Sequence, residues 1–162
     1  MIKLAVVVAG LCTLAAPAVA SATPVTISLL HARSYCINRN DGGKSDGTTV
    51  DLYACSGGND TWDEIQNPEM LSAPLCGGVG GNTCMEFEVP GTKTCFGLSP
   101  TTGEGQLQSC YEATADWNQG LGHQLHNEFW SGSGWLYTPG TYNRSKLYEG
   151  APSTDWYSWY GF

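Results

Sequence analysis

Hydrophobic and polar residues alternate along this chain in short bursts. In "VDLY", Val50 and Leu52 fall on one face and Asp51 and Tyr53 on the other, the two-residue period of a half-buried strand. "MEFEVP" reads the same way, with Met85, Phe87 and Val89 expected inward and Glu86 and Glu88 expected to face water. The tail "DWYSWYGF" reads as a last strand sending aromatics inward, with an exposed aromatic patch that meets a partner or a polysaccharide as the alternative. No window of a dozen residues carries a helical period, so the pattern predicts an all-β domain of many short strands. A helical turn or two is expected, for instance across 114–119.

One of these bursts recurs. Leu52, Cys55 and Trp62 stand in the pattern Leu-x-x-Cys-x6-Trp, and Leu107, Cys110 and Trp117 repeat it without change. A degenerate third copy runs from Leu147 and Tyr148 through Gly150, in place of the cysteine, to Trp156, one residue early. Three copies imply an internally repeated fold. The first two repeat tryptophans are 55 residues apart and the second and third 39, which places an insertion around "CGGVGGNTC" at 76–84.

The cysteines fit that frame. Residues 1–22 have a lysine, an apolar run too short to span a bilayer, and small residues at the end, the pattern of a removed secretory signal, with cleavage after Ala20 the alternative. The remaining 23–162 reads as one domain, secreted and extracellular, with six cysteines. Six permit 15 connectivities. Proximity within the repeats favours Cys36 with Cys55 and Cys95 with Cys110, leaving Cys76 with Cys84. Without Lys3 the chain carries six basic residues against 15 acidic ones, a charge of −9, and has no basic patch to neutralise phosphates. Nucleic acid is therefore excluded as a partner, and no run after the signal is apolar enough to span a membrane.

At this point the residues resemble a known family. "CINRNDGGKSDGTTVDLYACSGGNDTW" is similar to the first repeat of ricin-B-type lectin domains, with a weaker match over 95–117 and a faint one over 135–159. The resemblance implies a β-trefoil of twelve strands in three lobes, with the repeat leucines and tryptophans packed about a pseudo-three-fold axis. It also implies a carbohydrate site with galactose-type specificity. Carried over position by position, the family's fork aspartate falls on Asn38, its strand glutamine on Asp51, its stacking aromatic on Tyr53, and its closing pair on Asn59 and Asp60.

Such a site needs a polar fork for neighbouring hydroxyls and an aromatic face for the sugar's C–H side. The first repeat has both, although an amide replaces the family's carboxylate at Asn38 while a carboxylate stands at Asp51. The second repeat has Gly97, Gln106 and Gln108 at the corresponding positions, and the third has Tyr137, Lys146 and Tyr148. The expectation is one weak or altered site, in the first repeat. The alternative is a trefoil that has lost sugar binding and meets a protein partner, as an inhibitor or host-directed effector.

Other chemistry is poorly supported. Glu86 and Glu88 do not read as a glycosidase pair, and His123 and His126 have a spacing usable by zinc only on a helix. "NDGGKSDG" at 40–47 lacks the alternating oxygen ligands of a calcium loop and reads as a turn. No enzyme, cofactor or metal is expected. Two N-x-S/T sequons, at Asn59 and Asn143, mark candidate glycosylation sites, and Asn59 coincides with the expected sugar site.

Overall fold

The computed structural model describes residues 22–65, 84–112, 115–120, 123–127, 135–150 and 158–162. The expected Cys76–Cys84 pairing, Trp156 and the signal segment before residue 22 lie outside the described residues. Fourteen short strands occupy them: β1 Thr23–Val25, β2 Ser28–Leu29, β3 Ala32–Arg39, β4 Val50–Ala54, β5 Trp62–Ile65, β6 Cys84–Glu88, β7 Thr94–Leu98, β8 Gly105–Ser109, β9 Trp117–Gly120, β10 Gln124–Asn127, β11 Trp135–Tyr137, β12 Ser145–Lys146, β13 Tyr148–Gly150 and β14 Trp159–Tyr160. A 3-10 turn, Asn40–Gly42, follows β3. No helix among the described residues is long and apolar enough to cross a membrane.

The hairpins of the first two repeats pair in the same register. In lobe 1, β3 and β4 pair with Ile37 opposite Leu52 and Asn38 opposite Asp51. In lobe 2, β7 and β8 pair with Phe96 opposite Leu107 and Gly97 opposite Gln106. Disulfides join Cys36 to Cys55 and Cys95 to Cys110, as expected. Lobe 3 departs: β11 and β13 place Tyr137 opposite Tyr148 and Leu136 opposite Glu149, a register two residues away from that of the other lobes.

The three lobes close on each other through their leucine strands. Gly47 N–H donates to the Leu107 carbonyl and Leu107 N–H to Thr48, which joins lobe 1 to lobe 2. Gly105 donates to Leu147, joining lobe 2 to lobe 3, and Arg144 donates to Leu52, returning to lobe 1. Leu52, Leu107 and Leu147 are fully buried at this junction. Gly105 is required there, because a Cβ would lie 2.6 Å from the Val50 carbonyl oxygen and 3.1 Å from Leu147 Cβ.

Each lobe is locked by one buried indole. Trp62 Nε1 donates to the Ile37 carbonyl at 3.2 Å, Trp117 Nε1 to Phe96 at 2.7 Å, and Trp159 Nε1 to Leu136 at 2.8 Å. All three rings are excluded from solvent. The third-lobe equivalent is thus Trp159 and not Trp156. Leu147 and Trp159 are 12 residues apart where the first two repeats use 10, so the extra length hid the match. The tail alternates as expected over its described part, with Trp159 inside and Tyr160 outside.

Two expectations are corrected. Of the helical turn expected across 114–119, Ala115 is in a 3-10 turn and bonds to the Glu112 carbonyl, but residues 117–120 form a strand, β9, paired with β6 and β10, because Trp117 must reach the core. Glu86 does not face water: β6 is flanked by β5 and β9, and the side chain is fully buried. Its Oε1 accepts the N–H of Tyr111, the residue after Cys110. Asp60 does the same in lobe 1, where Oδ2 accepts Ser56 N–H, the residue after Cys55, at 2.7 Å and Gly57 N–H at 3.1 Å. A buried carboxyl therefore clamps the turn after each repeat cysteine, supplied from different points of the chain. Both carboxyls lie beside a disulfide whose sulfurs are bonded to each other, so neither cluster offers thiolate ligands to a metal.

Burial pushes the Glu86 carboxyl up to about 8 from its ordinary 4.5, with Asp116 beside it acting in the same direction. Between these values the folded protein holds a proton that the unfolded chain has released, so stability declines as pH rises through that window. Burial raises Asp51, Glu88 and Glu149 too, with the same sign. Thermal melts are expected to show a midpoint that falls between about pH 5 and about pH 8. Glu86→Gln, which keeps an oxygen for Tyr111 but does not ionise, is expected to flatten the upper part of that fall.

Candidate functional site

The lobe 1 hairpin positions a surface depression of about 190 Å³ lined by Asn38, Asn40, Asp41, Tyr53, Ser56, Asn59 and Arg144. Strand β3 delivers Asn38 and the 3-10 turn after it delivers Asn40 and Asp41. Asp41 has φ 51° and Gly42 φ 71°, and this left-handed pair folds the chain back over the pocket. Strand β4 supplies Tyr53, a 38% exposed aromatic face next to the Cys36–Cys55 bridge. Lobe 3 supplies Arg144, whose backbone pairs with Leu52 and whose guanidinium Nη2 lies 3.2 Å from Asp41 Oδ1.

Arg39 holds the far wall. It is buried over the Trp62 ring, its backbone N–H and Nε both donate to the Asn59 carbonyl, and Nη2 donates to Gly58. Burial lowers the basicity of its guanidinium, and Asp60 acts in the opposite direction. Through these bonds the 58–59 turn sits against β3, which sets Asn59 across the pocket from Tyr53.

Three of the five expected residues, Asn38, Tyr53 and Asn59, line the depression. The other two do not. Asp60 is fully buried and points at the Ser56 and Gly57 amides, so it shapes the turn that carries Asn59. Asp51 is buried opposite Asn38, and its Oδ1 has no hydrogen-bond partner among the described residues. Burial pushes its carboxyl up to about 6, while Arg144 lowers it and Asp41 raises it further. Arg144, Asp41, Asn40 and Ser56 escaped the sequence reading. Asp41 was visible only as part of an acidic turn, and Arg144 only as the middle residue of a sequon.

The corresponding positions elsewhere are built differently. In lobe 2, Gln108 is buried and donates to the Leu98 carbonyl, and Gly97 presents no side chain. In lobe 3, Tyr137 and Tyr148 stand 6.0 Å apart as ring neighbours, and Lys146 is engaged by Glu104 at 2.7 Å. His126 is occupied structurally, with Nδ1 2.9 Å from Glu149 Oε1. Arg144→Gln, which removes the nearby positive charge, is expected to move the Asp51 midpoint above about 6. NMR titration of the Asp51 carboxyl carbon checks this.

Neither a protein-family model nor a curated protein matches the sequence. Solved structures do match. A designed three-fold symmetric protein, ThreeFoil, is 14% identical, with a TM-score of 0.63, 85% of this chain and 96% of that one covered. A mosquitocidal holotoxin is 12% identical, with a TM-score of 0.68, over 88% of this chain and 17% of the toxin. The agglutinin from Abrus precatorius is 12% identical, with a TM-score of 0.61, over 94% of this chain and 51% of the agglutinin. The chain therefore spans only part of the toxin and of the agglutinin. At these identities the likeness is one of fold, and with the three indole locks and the closed leucine junction it makes this chain a β-trefoil.

Proposed function

We propose that the chain is a secreted, non-catalytic carbohydrate-binding protein with one weak site, the lobe 1 depression. The observation that carries this reading is the convergence there of an exposed aromatic face, Tyr53, with the amides of Asn38, Asn40 and Asn59. Amides donate and accept at once, which suits neighbouring hydroxyls, and the ring suits the sugar's C–H side. The agglutinin among the structural neighbours supports a glycan as ligand. Galactose-type sugars are the class that the family resemblance implies, with the fork altered by Asn38 in place of a carboxylate. A single site gains no avidity, so binding is weak for the isolated protein.

A glycan array with the deglycosylated, disulfide-intact protein tests the reading. Tyr53→Ala is expected to weaken binding by about tenfold, the equivalent of ~1.4 kcal/mol, and Asp51→Ala to weaken it by removing the buried carboxyl that stands across the hairpin from Asn38. Gln106→Ala, at the lobe 2 position, is expected to leave binding unchanged. Full binding by folded Tyr53→Ala protein overturns the site, and a blank array favours the protein-partner reading.

A further inference from the structure

The chain has two N-x-S/T sequons, Asn59-Asp60-Thr61 and Asn143-Arg144-Ser145, whose asparagines are 84 positions apart. Folding brings both to one place. Asn59 and Arg144 line the same depression, and Asn143 bonds to Ala54, the neighbour of Tyr53.

The two asparagines differ in what surrounds them. Asn143 is exposed, and its Oδ1 accepts the Ala54 N–H at 2.9 Å. A backbone N–H only donates, so this bond identifies the oxygen and leaves Nδ2, the atom that carries an N-linked glycan, as the other arm of the amide. Glycosylation at Nδ2 preserves the oxygen, so the glycan and the Ala54 bond coexist. Asn59 is half-buried, with its amide packed on Gly42: a Cβ there would lie 3.0 Å from Oδ1 and 3.4 Å from Nδ2. The folded chain therefore accommodates a glycan at Asn143 without disturbance, whereas one at Asn59 has to move its amide off Gly42. The third residue of the Asn143 sequon, Ser145, is buried, with its hydroxyl 2.7 Å from Thr138 Oγ1, so a transferase has to read it before lobe 3 closes.

We propose that Asn143 carries an N-linked glycan, added before lobe 3 folds, that lies over the lobe 1 depression and closes it to other ligands. In the modification, Asn143 Nδ2 attacks the anomeric carbon of a lipid-diphosphate oligosaccharide. The new C–N bond forms as the C–O bond breaks, the diphosphate leaves with the electron pair, and the amide proton passes to a base of the transferase. A sugar tethered beside Arg144 and Tyr53 is presented at about millimolar effective concentration, enough to fill a weak single site. The glycan-free chain is then the binding-competent form. This consequence for binding rests on the carbohydrate reading above; occupancy and coverage do not.

The test uses the full chain secreted from a eukaryotic host, compared with the same chain from a bacterial periplasm, which forms disulfides. Peptide mass spectrometry is expected to find the eukaryotic product modified at Asn143, and an unmodified Asn143 overturns the proposal. Hydrogen exchange is expected to be slower at residues 38–42 and 53–59 in the glycosylated form, and equal exchange overturns the coverage. Amidase removal of the glycan, which effects Asn143→Asp and keeps an oxygen for Ala54, is expected to restore the faster exchange. Where a glycan is bound, the bare protein is expected to bind roughly tenfold more tightly, as for a pocket uncovered a tenth of the time. Occupancy and coverage found together with a blank array for both forms support the cap and overturn only the carbohydrate reading.

Discussion

Three indole N–H groups, on Trp62, Trp117 and Trp159, each reach across a lobe to the carbonyl of the residue that begins its hairpin core. Each bond joins the closing segment of a repeat to its opening strand inside the apolar interior. Leaving such a buried donor unpaired costs ~1–3 kcal/mol, so ring position and backbone position constrain one another. The leucine strands then have one arrangement in which their edges are satisfied, the closed ladder from lobe 1 to lobe 2 to lobe 3 and back. That closure removes the exposed strand edges that short antiparallel hairpins otherwise leave open.

The depression on lobe 1 is a consequence of the closure. Arg144 donates its backbone N–H to Leu52 because lobe 3 must seal against lobe 1, and the same contact carries its guanidinium to Asp41. Asn143, one residue earlier, ends the ladder by accepting Ala54 N–H through its side chain. The wall opposite is set by Arg39, whose bonds to Gly58 and Asn59 depend on Trp62 lying beneath its guanidinium. Core and surface residues thus alternate along β4: Leu52 packs at the axis, and Tyr53 lines the depression.

Divergence between the lobes is clearest in how the same tasks are met with different residues. The turn after Cys55 is clamped by Asp60, four positions downstream of Ser56, and the turn after Cys110 by Glu86, from a strand that precedes the cysteine. Lobe 2 spends its would-be aromatic position on an internal bond from Gln108 to Leu98. Lobe 3, without a disulfide, shifts its hairpin register by two and ties β10 to β13 through His126 and Glu149. The Gln108 bond in lobe 2 and the Lys146–Glu104 pair in lobe 3 occupy side chains that the corresponding lobe 1 positions leave to the depression or its wall.

By itself the sequence determined what depends on short-range periodicity and on spacing: the all-β class, the repeat of Leu52, Cys55 and Trp62 at Leu107, Cys110 and Trp117, and two disulfides closed within hairpins. Asn38, Tyr53 and Asn59 came from the family resemblance, and they line the depression together because they belong to one hairpin and the turn that follows it. Tertiary structure decided everything that required another lobe. Trp159 replaced Trp156 because an indole must meet the Leu136 carbonyl at whatever chain length that takes. Glu86 went inside, against its alternation, because strands flank β6 on both sides and an amide needed an acceptor. Arg144 entered the site because ladder closure, which no local pattern encodes, placed lobe 3 beside lobe 1.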